Sequence, residues 1–488
     1  MPVWVLLGYR RRSSQWLVQV KNSSVNVELL VQTLQRYSGQ PSFSQGRHEK
    51  TSGIPVVATS LLLVGELAGG GMVALPHACR SLGLVAAACL LLIFAAISAF
   101  TGVLLGKCWL ILQARWPQYR THCQKPYQEI AARACGRVAG VFVSVCIQLT
   151  LFGTCVAFLI LAAQNLHVLC GDWLALEVPF CLLLIVLAVL VAPFTFLGSP
   201  KDFWYLILAA MICTSIAFCF LMVGMVLDLA TGIGSESHKS YNDTQPWTSN
   251  QVSALFMALG VFVFTHTGHS VFPAVQQDME DASRWSLAVY LAYVIMLLYY
   301  LPVSLLGSAV YGDAVQENVI HNLRSSVCRS GASFLVALHV LLSFVLMINP
   351  VNQEAEHLLR VHHSFSWRRL LVRSVIVLLV LFVAESIPNL GPLLSFVGGS
   401  TVTLLALVFP PVFYLCLLKQ TNLSEELVAD VLSIAHSEKT NLKSVPCCLL
   451  PALTLTMAIG VVIAVGCSLV STDKLVDAFI SPCYMKLT

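Results

Sequence analysis

Polar positions along this chain are not periodic but come in blocks. Runs of mostly apolar residues alternate with short polar connectors, and a helix needs about 20 such residues to cross a bilayer. Eleven segments fit: 55–78, 83–106, 138–169, 177–197, 203–230, 250–276, 285–310, 331–352, 370–386, 391–418 and 447–470. Pro193 shortens the fourth, and the ninth is short. Each is predicted to be a helix, because a lone segment in lipid satisfies its backbone polar groups only that way. The expected fold is an all-α integral membrane protein with eleven transmembrane helices.

Composition agrees. Of 488 residues, 57% are hydrophobic and 11% charged, against about 25% charged in ordinary soluble domains. Mean hydropathy is +0.80. Soluble domains, coiled coils, disordered chains and nucleic-acid modules are excluded by the same arithmetic. The start, MPVWVLLGYRRR, places its positive charges after a short apolar run. That is the reverse of a secretory signal, so no cleavage is expected. Residues 1–50, polar and Ser/Gln-rich, read as a disordered cytoplasmic tail, 51–470 as the transmembrane domain, and 471–488 as a short extracytoplasmic tail. Most of the 17 cysteines, among them Cys89, Cys146, Cys155, Cys181, Cys213 and Cys219, sit in apolar runs, where Cys acts as a small hydrophobe. No CxxC zinc pattern occurs, and neither a metal nor a cofactor is expected.

Charge becomes informative by position. With a cytoplasmic N-terminus, 22 of the 28 basic residues fall inside. Only Arg80, Lys239, Arg324, Arg329, Lys474 and Lys486 fall outside. The positive-inside rule selects this orientation, and an odd helix count puts the C-terminus outside. Of three glycosylation sequons, Asn242-Asp243-Thr244 lies in an outer loop, whereas those at Asn22 and Asn422 lie inside. Cys170 and Cys328 also fall outside, in an oxidising space that favours disulfides. Spacing alone leaves a bridge and two unrelated thiols equally open.

Two helices carry matched interruptions. Gly69-Gly70-Gly71 in the first is followed by Pro76, and Gly268 in the sixth by Pro273. Glycine costs about 1 kcal/mol and proline about 3 inside a helix, so both segments favour unwinding. One such cluster alone would read as close helix packing. A pair five helices apart, hence of opposite direction, is the mark of a 5+5 inverted repeat with an eleventh helix appended. Discontinuous helices in such folds meet near the midplane at the substrate site.

Three stretches resemble a known family. GELAGGGMVALPHA (65–78), GHSVFPAVQQDMED (268–281) and IPNLGPLLSFVGGSTVTLLALVFPPVFYL (387–415) are similar to those of the amino acid/auxin permease family. The resemblance spans about 51–470 and implies a LeuT-type fold and ion-coupled transport of amino acids. The proton-coupled branch pairs the outer loops that hold Cys170 and Cys328, so the resemblance implies that disulfide. Sodium-coupled members hold Na⁺ between helices 1 and 8. The corresponding positions here are Gly65, which lacks the family's asparagine, and Ser343, which keeps a hydroxyl.

Glu66 is the one acid near the middle of a span, and an intramembrane carboxylate is costly unless functional or paired. It reads either as a coupling group or as a hydrogen-bonded structural acid. His266 and His269 flank Gly268, and two histidines do not make a metal site. His269, in the family-like motif, reads as a brace for the break. His339 reads as a satisfied core residue, and His77 as a titratable group at the outer end of helix 1.

The resulting expectation is a secondary transporter working by alternating access, coupled to H⁺ or Na⁺. The substrate carboxylate would meet the backbone at Gly69–Gly71, and the amine would meet Phe264, Thr265 and Gly268. The alternative is an amino-acid-sensing membrane receptor of the same fold. An enzyme is disfavoured, since no nucleophile–base pair or nucleotide loop is present. Expected partners are an amino acid and the bilayer, not nucleic acid, in the plasma membrane or an endosomal, lysosomal or vesicular membrane.

Overall fold

A computed structural model describes residues 53–196, 203–232, 249–361, 366–420, 449–479 and 482–485. The predicted tail 1–50 and all three sequons lie outside these residues. Apart from one isolated parallel bridge between Ile54 and Met279, the regular structure described is helical.

In chain order the helices are α1 (Val56–Leu67), α2 (Gly71–Arg80), α3 (Leu84–Arg115), α4 (Pro126–Cys135), α5 (Arg137–Leu174) and α6 (Phe180–Thr195). Then come α7 (Phe203–Ala230), α8 (Ser249–Thr265), α9 (Phe272–Gln277), α10 (Trp285–Tyr311), α11 (Ser326–Leu358) and α12 (Trp367–Ser386). A helical span α13 (Leu390–Gln420), π-helical over Gly398–Val402 and Leu404–Val408, and finally α14 (Leu449–Phe479) complete the chain. Seven helices among the described residues are long and apolar enough to cross a membrane, and α1 with α2, bent by 59° at the glycines, makes an eighth. Shorter apolar helices cover Phe180–Thr195 and Gln251–Thr265.

Several helices outrun their apolar stretches: α3 continues to Arg115, α11 covers Ser326–Leu358, and α14 reaches Phe479. Once nucleated, each added residue gains a backbone hydrogen bond, so a helix does not stop where hydrophobicity does. The connector after α3 also contains α4, which buries Tyr127, Ile130, Ala131 and Ala134 on one face.

α11 packs along α5 and α7, and α10 along α1, α2 and α3. Gly102 and Gly106 lie one turn apart on α3 and let the chain approach closely. A Cβ on Gly102 would meet the Phe272 ring at 2.8 Å, and one on Gly106 would run into Trp285. Outward-facing apolar side chains such as Val141, Leu190, Leu298, Leu378 and Val462 stay exposed, as a lipid-facing surface requires.

The expected Cys170–Cys328 disulfide is absent. Both thiols are free and buried, and Cys181 is bonded to Cys483 instead. The ends of α5 and α11 are held together by charge: Asp172 takes a bidentate contact from Arg329, at 2.9 and 2.5 Å, and accepts from Ser330 Oγ at 2.9 Å. Cys328 meanwhile turns toward α7, with its Cβ against Gly224. Cys181, read as a small hydrophobe, therefore ties the start of α6 to the C-terminal segment. Arg373 is fully buried. It donates to Glu356 Oε1 at 2.5 Å and to the Thr195 carbonyl, with Arg369 on the same oxygen at 3.0 Å.

Candidate substrate site at the two helix breaks

The first break follows directly from sequence. α1 ends at Leu67, its last turn closed by Ala68 N–H donating to Val64 O at 2.7 Å. The N–H groups of Gly69 and Gly70 have no acceptor among the described residues. α2 then starts at Gly71, so its N-terminus, with its free N–H groups and positive dipole end, faces the break. The second break separates α8 from α9 over residues 266–271, with Pro273 in the first turn of α9.

The breaks meet around a cavity of about 50 Å³. Its lining includes Glu66, Gly69, Gly70, Gly71, Phe264, Thr265 and Gly268. The structure thus brings together every residue expected at the substrate backbone, plus Glu66. Gly65 and Ser343 are not in the lining. Gly65 packs on Ile207 of α7, and Ser343 faces His339 at 3.5 Å. His77 lies apart, on a larger cavity of about 920 Å³ bounded by α2, α8, α13 and α14.

Glycine is required at the first break by space. A Cβ on Gly70 would meet Leu161 Cδ2 of α5 at 2.7 Å, and one on Gly71 would strike Thr265. Across the cavity α5 supplies Thr150, Thr154 and Phe158, α11 supplies Met347, and Thr267 and Ser270 come from the second break. These neutral residues carry no sequence signal that sets them apart from other apolar-helix positions.

A fully buried tyrosine joins the two breaks. Tyr300 of α10 directs its hydroxyl at both Leu67 O (2.6 Å) and Thr265 O (3.1 Å). Two turns earlier on the same face, Tyr293 donates to His266 O at 2.7 Å. The seven-residue spacing was readable in sequence, but which carbonyls it serves was not. His269 is braced by Thr101 Oγ1 of α3 at 3.0 Å, and His266 bonds its own helix at Phe262 O, 2.8 Å. Gln276 of α9 donates to Gly106 O and Ala282 O, and Trp285 to Gly102 O, which anchors the second half of the broken helix to α3.

Contacts between distant segments tie the bundle away from the cavity lining as well. In one, Ile54 N donates to Asp278 O (2.9 Å) and Glu280 N to Ile54 O (3.1 Å), while Lys125 pairs with Glu354. In another, the segment between α10 and α11 packs on α2 and α11. Its buried Asn318 donates to Asn165 of α5 at 3.3 Å, Glu317 accepts from Gly391 N at 2.9 Å, and Arg80 pairs with Asp313 at 2.7 Å. In the same segment His321 is held neutral, its pKa lowered to about 4 by burial first, then by His167 and Arg329. A void of this size holds a few water molecules, so admitting a larger ligand requires the bundle to open.

A helical bundle with two broken helices meeting at a cavity has the LeuT-type fold. Among solved structures it is similar to MhsT in complex with L-phenylalanine, with a TM-score of 0.51 at 10% identity, covering 90% of this chain and 99% of that one. The chain belongs to the transmembrane amino acid transporter protein family, whose profile matches residues 52–436. Amino acid transporter AVT1C of Arabidopsis thaliana is 26% identical over 381 residues, 75% of this chain. Lysine histidine transporter-like 1 of the same plant is 24% identical over 339 residues, 65% of this chain and 73% of its own length. The chain spans 64% of the length of AVT1C and 62% of that of AVT1D. These relatives are named transporters, which is a non-enzymatic class.

Proposed function

We propose that this chain is a secondary active transporter that moves amino acids or close relatives across a membrane by alternating access, coupled to H⁺ or Na⁺. The observation that carries the reading is the unpaired N–H groups of Gly69 and Gly70 at the N-terminus of α2, on the cavity where the two breaks meet. Unpaired N–H groups and a positive dipole end suit a carboxylate. The C-terminal end of α8 at Phe264 and Thr265, with Gly268 in the break beyond it, suits the amine. Glu66, on the same lining, is the coupling group in this reading. We read the fold as eleven spans in a 5+5 inverted repeat plus one, with the N-terminus cytoplasmic and Asn242 glycosylated on the far side.

Uptake of a radiolabelled amino acid mixture into proteoliposomes, with and without Na⁺ and a pH gradient, is the test. Saturable uptake driven by either gradient supports the reading. Saturable binding without uptake under any gradient refutes it and favours a receptor. Glu66→Gln is expected to alter the pH or ion dependence more than the apparent KM. An active Glu66→Gln with an unaltered profile returns Glu66 to a structural role.

A further inference from the structure

His339 lies midway along α11, 2% exposed, where α7, α11 and the first break converge. Its Nδ1 is 2.9 Å from the Ala210 carbonyl and 2.8 Å from Thr214 Oγ1, both on α7. A carbonyl only accepts, so in the neutral ring Nδ1 carries the proton and Nε2 is left as the acceptor. Nε2 points the other way. It is 3.5 Å from Ser343 Oγ and lies so close to Gly69 that a Cβ there would collide with it. Gly69 belongs to the break just past the C-terminus of α1, the negative end of that helix dipole. A second proton on this ring would therefore place a cation between α7, α11 and the first break, where the C-terminus of α1 meets the N-terminus of α2.

The other two buried histidines near the cavity are placed differently. His266 bonds only within its own helix and to the neighbouring Thr265. His269 bonds Thr101 and the Ser98 backbone, both on α3. His339 alone of the three contacts both α7 and the first break. Among ionisable groups on the elements packed around it, Glu66 of α1 lines the cavity beside Gly69. Asp228 of α7 is taken by Tyr311 and Arg324 N–H, and Arg329 and Glu356 of α11 by Asp172 and Arg373. Cys213 of α7 and Cys155 of α5 are free thiols.

We propose that His339 is a proton-binding site of the transport cycle, whose charged form joins the first break to α7 and α11 and whose neutral form releases it. The contacts of His339 assign this role by position: imidazole is the side chain whose ordinary titration falls near physiological pH. The proposal rests on the transport reading above, and deepens it by naming a proton as a coupling ion and its acceptor atom as Nε2.

The test uses the full chain in proteoliposomes with a radiolabelled amino acid mixture, comparing wild type, His339→Gln, His266→Gln and Glu66→Gln from about pH 5.5 to 7.5. Glutamine keeps a donor toward Ala210 but does not titrate in this range. Wild type and His266→Gln are expected to change rate about tenfold across the range, and His339→Gln by less than about twofold while still transporting. A wild-type pH profile in His339→Gln, or one lost only in Glu66→Gln, overturns the proposal. A second readout does not depend on transport: hydrogen exchange of residues 65–75, corrected for intrinsic pH effects. Protection is expected to rise on acidification in wild type and to be flat in His339→Gln. Equal pH dependence in both overturns the proposal even if no amino acid is transported, whereas absent uptake with the expected exchange difference refutes only the transport reading. If His339→Gln is not monodisperse, Thr214→Val removes an oxygen 2.8 Å from Nδ1, and an unmoved midpoint of the exchange curve overturns the proposal.

Discussion

Replacing Tyr300 with Phe removes one oxygen and nothing else from a fully buried ring. That oxygen is directed at Leu67 O at 2.6 Å and Thr265 O at 3.1 Å, the last carbonyls before the two breaks. Phe fills the same volume, so no cavity opens and no apolar contact is lost. The change is confined to buried carbonyls left without this donor, which costs about 1–3 kcal/mol. The opened states, in which the breaks separate and water reaches the carbonyls, lose less. The penalty therefore falls on the closed form and corresponds to a population shift of about 5- to 150-fold. In the uptake assay, normalised to protein in the membrane, kcat/KM of Tyr300→Phe is expected to drop within that range. The melting temperature of the detergent-solubilised protein should fall too, since both contacts are made in the described structure. Tyr293→Phe, which removes a donor from His266 O at the second break alone, should cost less in uptake. Wild-type KM and kcat in a well-folded Tyr300→Phe would show that the hydroxyl does not hold the site together.

Gly70→Val is expected to abolish uptake while the protein still reaches the membrane, since even a Cβ there meets Leu161 at 2.7 Å; wild-type uptake by the surface-expressed variant removes the site from the first break. Peptide mapping without reduction should recover Cys181 linked to Cys483 and leave Cys170 and Cys328 alkylatable after denaturation, and Cys181→Ser should lower stability by about 2–4 kcal/mol. Arg373→Met leaves the Glu356 carboxylate with only Arg369, and loss of a buried ion-pair partner should cost about 3–5 kcal/mol, read as a drop in thermal stability. His321 has its pKa lowered to about 4 in the fold, against about 6.5 unfolded. The unfolded form binds the extra proton between those values, so the segment between α10 and α11 should lose protection against hydrogen exchange as pH falls from about 6.5 to 4. Removing His321 as His321→Phe should flatten that dependence.

The blocks of apolar residues were sufficient to announce a helical membrane protein, because in lipid the demand for backbone hydrogen bonds is met within each segment and needs no partner. The two breaks were equally legible: the cost of Gly and Pro in a helix is local, and Gly69–Gly71 with Pro76 and Gly268 with Pro273 declare it without reference to any neighbour. The residues expected at the substrate backbone could thus be placed on one cavity from local chemistry alone. What faced across that cavity was decided only by packing. Nothing along α5 marks Thr150, Thr154 and Phe158 as its far wall, since neutral side chains in an apolar run look alike until helices dock. The same reason explains the errors. Cys170 and Cys328 share one end of the bundle, but a disulfide needs paired Cβ vectors, and docking turned Cys328 onto α7 while bringing Cys181 to Cys483. Arg373 is the centre of a buried ion pair, because Glu356 and the Thr195 carbonyl arrive from other helices. Tyr300 and His339 owe their importance to what they meet in space: one hydroxyl between two distant carbonyls, one ring between α7 and the first break. Periodicity and local cost are properties of the chain, but a contact between helices hundreds of residues apart exists only once the bundle has assembled.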